Sequence, residues 1–179
     1  LLNQCISTAY GVRDFNIPFY GLYGACSTMA EGMVLSAMMV DGDFADKCIA
    51  ITSSHYCSAE RQYRFPLVYG GQRTPTAQWT VTGSGAMLIE KEGNGPYIVG
   101  SYTGKIVDMG ITDANNMVAA MAPAAIDTIS GYLKDTNTKP SDYDLIVTGD
   151  LGQVGFDVVN ELMAKDGLDL QGRYNDCGL

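Results

Sequence analysis

The sequence predicts an α/β fold with a largely parallel sheet. Compact apolar runs of the kind that form buried strands recur along the chain, segments with helical periodicity lie between them, and glycine-containing turns separate the two. A chain of 179 residues is long enough to bury the core of one ordinary domain. Its 46% hydrophobic and 17% charged residues are typical of a globular protein.

The first half of the chain is expected to contain strands around one long helix. The runs Ile17–Tyr23, Cys48–Thr52 and Thr80–Glu90 predict strands. From Ser27 to Asp41, apolar residues recur at i, i+3 and i+4, which predicts a helix capped by Ser27 or Thr28. The face that this helix buries is expected to comprise Ala30, Met33, Val34, Ala37 and Met38.

The second half repeats the alternation. An extended stretch is expected from Pro96 to Val107, and the longest helical pattern runs from Asn116 to Leu133. The run Leu145–Thr148 predicts a strand, and a turn at Gly149–Gly152 leads into a helix from about Gln153 to Ala164. Strand, turn and helix in both halves suggest a duplicated architecture, without a repeat of individual residues.

Composition excludes several classes of function. The net charge of −9 argues against nucleic-acid binding, because phosphates select basic faces. No run approaches the ~20 apolar residues that span a bilayer. Five cysteines at irregular spacing and a single histidine predict reduced thiols and no zinc site. The absence of an initial Met and the turn at the end lead us to expect a fragment of a longer protein.

Cys26 is the first candidate for chemistry. It lies between a predicted strand and a predicted helix, in the segment Gly24-Ala25-Cys26-Ser27-Thr28. At the start of a helix, backbone N–H groups and the helix dipole stabilise a thiolate. The alternative is a small buried residue in a tight turn, and position alone does not separate the two.

Residues 57–78 form the second candidate. The segment is irregular and rich in Arg, Gln and Tyr, and a loop of this length within a compact domain is more often functional than filler. His55 precedes it at the carboxyl end of a predicted strand, where α/β sheets bind ligands. Arg61, Arg64 and Arg73 lie within it, and a guanidinium matches a carboxylate with two hydrogen bonds. Surface ion pairing, a dimer interface and a structural histidine stay open as alternatives.

These residues carry a resemblance to known proteins. The segment around Cys26 resembles the nucleophile turn of thiolases and β-ketoacyl synthases. The segments Ser53–Pro66 and Val68–Thr80 resemble one branch more narrowly, the stage V sporulation protein AD family of spore-forming bacteria. Thr148–Gly152 and Tyr174–Gly178 continue the similarity, which extends over essentially the whole chain.

The resemblance implies a thiolase-like fold, layered α/β/α/β/α, made of duplicated βαβ halves with mostly parallel sheets. Residues 1–92 would be the remainder of the N-terminal half, and residues 93–179 the start of a truncated C-terminal half. It also implies a homodimer that binds dipicolinic acid, alone or as its calcium chelate, for uptake into the developing spore. The protein would act in the cytoplasm and forespore, held at the spore inner membrane by the membrane subunits of the same channel complex.

The sequence departs from the catalytic members of this superfamily. Those enzymes use further histidines, or a histidine and an asparagine, to activate the cysteine and stabilise an oxyanion. Where the second half normally presents such a histidine, this chain has Gly149-Asp150, and an aspartate repels an oxyanion. We therefore expect no catalytic residue, a vestigial nucleophile position at Cys26, no cofactor and no protein-only metal site. The predicted ligand-binding residues are Cys26, His55, Arg61, Arg64, Arg73 and Asp150.

Two other interpretations stay open from the sequence. The first is an acyltransferase that uses Cys26 as its nucleophile. The second is a purely structural subunit of a membrane channel complex, with a vestigial pocket and functional interfaces.

Overall fold

In the computed structural model of the protein, the structure describes residues 5–61, 64, 66–69, 74–76, 78, 81–170 and 172–179. The prediction of a mixed α/β class is confirmed, with helices and two small sheets. The described helices and strands are α1 (Cys5–Val12), α2 (Thr28–Asp41), β1 (Lys47–Ser54), β2 (Gly83–Glu90), α3 (Val118–Thr136), β3 (Ile146–Thr148), α4 (Gly152–Lys165) and β4 (Tyr174–Asp176).

The chain divides into two compact units. The first unit comprises Leu1–Tyr63 and Thr80–Ser101, and the second comprises Arg64–Trp79 and Tyr102–Leu179. The domain boundary predicted between residues 92 and 93 stays a prediction.

In the first unit, α2 packs on the sheet formed by β1 and β2. These strands are antiparallel, with Lys47 opposite Glu90 and Ser54 opposite Gly83. A hydrogen at Gly32 instead of a side chain brings the helix close to β1, because a Cβ placed there would lie 3.3 Å from the Cβ of Ala50. The buried residues of α2 form a stripe four residues apart, namely Thr28, Gly32, Ser36 and Val40.

In the second unit, α3 and α4 pack around a core that also includes β4. Strands β3 and β4 are parallel, with Ile146 beside Tyr174 and Thr148 beside Asp176. The rings of Phe156 and Tyr174 stack with their centroids 5.0 Å apart. The buried core comprises Val118, Ala122, Leu151, Val159, Met163, Leu170 and Tyr174.

Several sequence expectations were wrong. The predicted strand Ile17–Tyr23 is irregular, although all of its residues are described, and Pro96–Val107, predicted as an extended stretch, contains no regular helix or strand. An apolar run becomes a strand only when a neighbouring strand satisfies its backbone groups. The buried face of α2 was also mispredicted, since Met38 is 61% exposed and small residues face the sheet instead. Of the two described strand pairs, β1 with β2 is antiparallel and β3 with β4 is parallel, so the mostly parallel sheets of a thiolase-like fold stay a prediction.

Candidate functional site

Cys26 lies exposed in a short 3₁₀ turn, Ala25–Ser27, directly before α2. Ala25 has a left-handed backbone, with φ of 49°, which is uncommon for a residue with a side chain. The turn is held by hydroxyl groups: Ser27 Oγ donates to the carbonyl of Gly24 at 2.7 Å, and Thr28 Oγ1 donates to the carbonyl of Ala25 at 2.7 Å. The prediction that either hydroxyl caps α2 was therefore wrong, because both point back into the turn.

Glu31 adds a carboxylate to this turn. It lies in the first turn of α2, where the helix dipole favours a negative charge. Its Oε2 atom is buried and finds no hydrogen-bond partner among the residues that the structure describes. The same atom lies over Gly24, only 2.6 Å from the position that a Cβ would occupy. The sequence suggested the charge of Glu31 but not this contact.

His55 lies at the end of β1 and begins a π-helical turn, Tyr56–Glu60. Its Nδ1 accepts a hydrogen bond from the backbone N–H of Cys57 at 3.3 Å. The neutral ring therefore carries its proton on Nε2, which is a hydrogen-bond donor that suits a carboxylate. The turn is anchored by Glu60, which is 1% exposed and accepts from Ser54 Oγ at 3.2 Å.

Two of the three predicted arginines are described, and these two belong to different units. Arg61 follows the π-helical turn directly, so the first unit brings it to the opposite end of the turn from His55. Arg64 is half-buried and belongs to the second unit. Arg73 lies outside the described residues. Whether any of them binds a ligand stays a prediction.

Hydrogen bonds join residues 74–76, at the end of the arginine-bearing segment, to the start of α3. The hydroxyls of Thr74 and Thr76 both donate to the carbonyl of Asn115, at 3.0 and 2.7 Å. The backbone N–H of Val118 donates to the carbonyl of Thr76 at 3.3 Å. These bonds fix this part of the segment within the second unit.

Asp150 lies in the turn between β3 and α4, and it too has a left-handed backbone, with φ of 33°. One of its carboxylate oxygens, Oδ1, lies against Gly178, where a Cβ would collide with it. Gly178 therefore makes room for the Asp150 side chain. The two turns that the sequence singled out, at Cys26 and at Asp150, thus each contain a left-handed residue just before a helix.

Asp176, which lies in the motif Tyr174–Gly178, organises the Asp150 turn. It is 3% exposed and accepts hydrogen bonds from Thr148 Oγ1 at 2.6 Å, Leu151 N at 3.0 Å, Gly152 N at 2.9 Å and Gly178 N at 2.8 Å. Burial raises the pKa of this carboxyl, but the hydrogen bonds outweigh burial and hold the pKa below its usual range. The sequence signal that could have indicated this role is an acidic residue at the end of a strand, followed by a small residue.

Two negative findings concern the described part of the chain. No group of three or more His, Cys, Asp or Glu side chains there is arranged to hold a metal ion. None of the helices described is both long enough and apolar enough to cross a membrane. In addition, no disulfide joins the four cysteines whose side chains are described, Cys26, Cys48, Cys57 and Cys177.

A cavity of about 260 Å³ lies in the second unit between α3 and the start of β3. Its walls are mostly apolar and include the rings of Tyr102, Tyr132 and Tyr143. None of the predicted site residues that the structure describes lines it. The cavity is therefore separate from the features that the sequence singled out.

The described elements define a mixed α/β protein that has a cysteine at the entrance of one helix and a buried aspartate at the entrance of another. The profile of the family described as Stage V sporulation protein AD (SpoVAD) matches residues 1–179. The chain belongs to the SpoVAD family of sporulation proteins, as the resemblance in its motifs predicted.

A relative supports this membership. The chain is 47% identical over 179 residues to stage V sporulation protein AD of Bacillus subtilis (strain 168). The match covers 100% of this chain and 53% of the relative. The chain thus spans about half the length of the curated relative that it matches.

Proposed function

We propose that the chain is part of a non-catalytic protein that binds dipicolinic acid and is needed for dipicolinate uptake into the developing spore. The observation that carries this proposal is the match of the whole chain to a sporulation family. The proposal includes a thiolase-like fold for the complete protein, a homodimer, and membrane subunits of a spore channel complex as partners. The complete protein would act in the cytoplasm and forespore, at the spore inner membrane, through these partners.

The first unit offers groups that suit a dianionic ring. Dipicolinate carries two carboxylates, and these are recognised by guanidinium groups, imidazole N–H groups and backbone N–H groups at helix starts. Arg61, the Nε2 atom of His55 and the start of α2 beside Cys26 are groups of these kinds. Arg64 and Arg73 supply two further guanidinium groups in the sequence.

Asp150 has a different role in the proposal. A carboxylate repels a dicarboxylate, so Asp150 favours the ligand only when a cation lies between them. Calcium prefers carboxylate oxygens, and its chelate with dipicolinate would bring such a cation to the protein. We therefore assign Asp150 to the calcium of a chelated ligand, while the protein itself supplies no complete calcium site.

The geometry of the two turns supports the absence of catalysis in the proposal. A cysteine that transfers acyl groups needs a base and donors aimed at an oxyanion. His55, the single histidine in the sequence, uses Nδ1 to accept from Cys57. After β3, the backbone N–H groups of Leu151 and Gly152 donate to Asp176 and are occupied. These contacts favour binding over acyl transfer.

A second candidate function rests on the exposure of Cys26. An exposed thiol in a turn with a left-handed Ala25, at the start of a helix, also suits a nucleophile. An acyltransferase would form a thioester at Cys26 when it is given acyl-coenzyme A. The third interpretation, a structural subunit, predicts that variants at Cys26 and Arg61 leave function intact.

Replacement of the parent gene in its spore-forming host tests the proposal. Cys26→Ala and Arg61→Gln variants of the full-length protein are expected to lower the dipicolinate content of spores at unchanged protein level. Lys165→Gln is a matched control, because the ion pair that this exposed cation makes among the described residues is with Glu161 on the same helix face. Normal dipicolinate content in both variants would contradict the binding proposal and favour a structural subunit.

A further inference from the structure

The carboxylate of Asp176 connects three parts of the second unit. It lies at the end of β4 and receives a hydroxyl hydrogen bond from Thr148 at the end of β3. It receives two backbone hydrogen bonds from the turn that follows, at Leu151 and Gly152, and one from Gly178. The turn and the aspartate are 24 to 25 residues apart in the chain, so this is a tertiary contact and not a local motif.

These backbone bonds place Asp176 at the start of α4. Leu151 is the residue before the helix and has no polar side chain, so it cannot cap the helix itself. Asp176 instead accepts from the N–H groups of Leu151 and Gly152, which are among the N–H groups that a helix start leaves without an internal partner. For an anionic ligand at the start of α4, the backbone N–H groups of Leu151 and Gly152 are not available, because both are hydrogen-bonded to Asp176. These two N–H groups are therefore occupied by the protein's own carboxylate.

The same bonds constrain Asp150. The turn is tied to Asp176 on both sides of Asp150, through the side chain of Thr148 two residues before it and the backbone of Leu151 directly after it, and the backbone of Asp150 is left-handed. Gly178 completes the arrangement, because a side chain there would collide with Asp150 Oδ1 and lie 3.0 Å from Asp176 Oδ1. Asp150 is thus directed to one side of the turn, against Gly178.

We infer that Asp176 is the positioning residue for Asp150: by holding the β3–α4 turn, it fixes the carboxylate that binds the calcium of the chelated ligand. This inference rests on the proposed function for its ligand, but the positioning itself can be measured without one. Asp176 does not contact the ligand. It acts through Asp150, as a buried carboxylate that shapes the turn.

The first experiment measures hydrogen exchange in the full-length protein without ligand. In Asp176→Asn, the amides of a peptide that covers residues 149–155 are expected to exchange at least about tenfold faster than in the wild type. Asp166→Asn, at the exposed end of the same helix, is the control and should leave this peptide unchanged. If Asp176→Asn fails to fold, Thr148→Val removes a single donor and should give a smaller increase. Unchanged exchange in the folded variants overturns the inference.

The second experiment measures dipicolinate affinity with and without calcium. Asp150→Asn is expected to reduce the gain in affinity that calcium gives, Asp176→Asn to reduce it similarly, and the double variant to fall no further. The inference is overturned if calcium raises the dipicolinate affinity of Asp176→Asn as much as that of the wild type while it raises the affinity of Asp150→Asn less. It is also overturned if calcium raises the affinity of Asp150→Asn as much as that of the wild type. A wild-type protein that binds no dipicolinate in either condition refutes the proposed function instead, and hydrogen exchange still decides the role of Asp176.

Discussion

The carboxylate of Glu31 folds back onto Gly24, so that its Oε2 atom lies 2.6 Å from where a Cβ of Gly24 would be. The contact joins the first turn of α2 to the residue that opens the Cys26 turn. Gly24 itself has an ordinary backbone, with φ of −103°, so the need for glycine here is steric and not conformational. The shape of the candidate nucleophile turn therefore depends on a missing side chain.

Gly24→Ala is expected to destabilise the full-length protein by about 1 kcal/mol, the lower end of the range for overpacking. The added methyl group would overlap Glu31 Oε2 and Ser27 Oγ, which are ends of side chains and can partly turn away. Urea unfolding measures the change. The double variant Gly24→Ala/Glu31→Ala should recover part of the loss.

Gly11→Ala is the matched control for this prediction. Gly11 lies in α1, and nothing lies within 4 Å of an added Cβ. Alanine favours a helix over glycine, so stability should stay unchanged or rise by up to about 1 kcal/mol. Equal losses in Gly24→Ala and Gly11→Ala would contradict the packing described for Glu31.

Gly32→Val tests the packing of α2 on β1. A Cβ at Gly32 would already lie 3.3 Å from the Cβ of Ala50 and 3.5 Å from Leu22 Cδ1, so a branched side chain must push the helix away. We expect a loss of about 1–3 kcal/mol in the free energy of unfolding. Ala30→Val, at an exposed position of the same helix, should cost only about 0.5 kcal/mol through helix propensity. A Gly32→Val variant no less stable than Ala30→Val would disprove the close packing.

Asp176→Asn should make stability depend less on pH. The carboxylate form of Asp176 is stabilised in the fold by four donors, so its pKa lies below the value of about 3.9 that an aspartate has in an unfolded chain. Its contribution is therefore fully present above about pH 4 and is lost as the pH falls through the folded-state pKa. Urea unfolding at pH 7 should show a loss of about 1–3 kcal/mol in the variant.

The same measurement in acid completes this prediction. As the pH falls from about 4 through the lowered pKa of the native carboxyl, the unfolded chain binds the proton more readily, so the difference between the wild type and Asp176→Asn should shrink. Asp166→Asn at the end of α4 should show no such trend. A difference that is constant from pH 7 to pH 3 would mean that the charge of Asp176 does not hold the turn.

Cys26 should stay unacylated. When the full-length protein is incubated with acyl-coenzyme A, we expect intact-protein mass spectrometry to show no adduct that is lost in Cys26→Ala. The reason is that His55 and the Asp150 turn do not provide the base and the oxyanion donors for acyl transfer. A stoichiometric adduct at Cys26 would favour the acyltransferase instead. Alkylation of the exposed thiol by iodoacetamide is the positive control for its access.

The regular helices could be predicted from the sequence to within a few residues. α2 was expected to end at Asp41 and does so, and α4 was expected from Gln153 to Ala164 and extends one residue further at each end. Their periodicity is a local property of the chain. The strand predicted at Ile17–Tyr23 failed because pairing is not local, and an apolar run does not specify its partner.

The candidate site could be predicted only in part. The sequence located Cys26 and Asp150, because a turn between an apolar run and a segment with helical periodicity can be recognised from the sequence alone. It did not indicate that Glu31 covers Gly24, or that Asp176 bonds to a turn 24 to 25 residues away. Both depend on where side chains meet after folding. The buried face of α2 was missed for a related reason, since close packing selected its small residues over its methionines.

The most direct test of the central proposal is a calorimetric titration of dipicolinate into the full-length protein, with benzoate as the control ligand. The proposal predicts saturable binding of dipicolinate but not of benzoate, weakened about tenfold, or about 1.4 kcal/mol, by Cys26→Ala or Arg64→Ala. Absence of saturation at millimolar dipicolinate, with or without calcium, would contradict the assignment of the protein as a dipicolinate-binding protein.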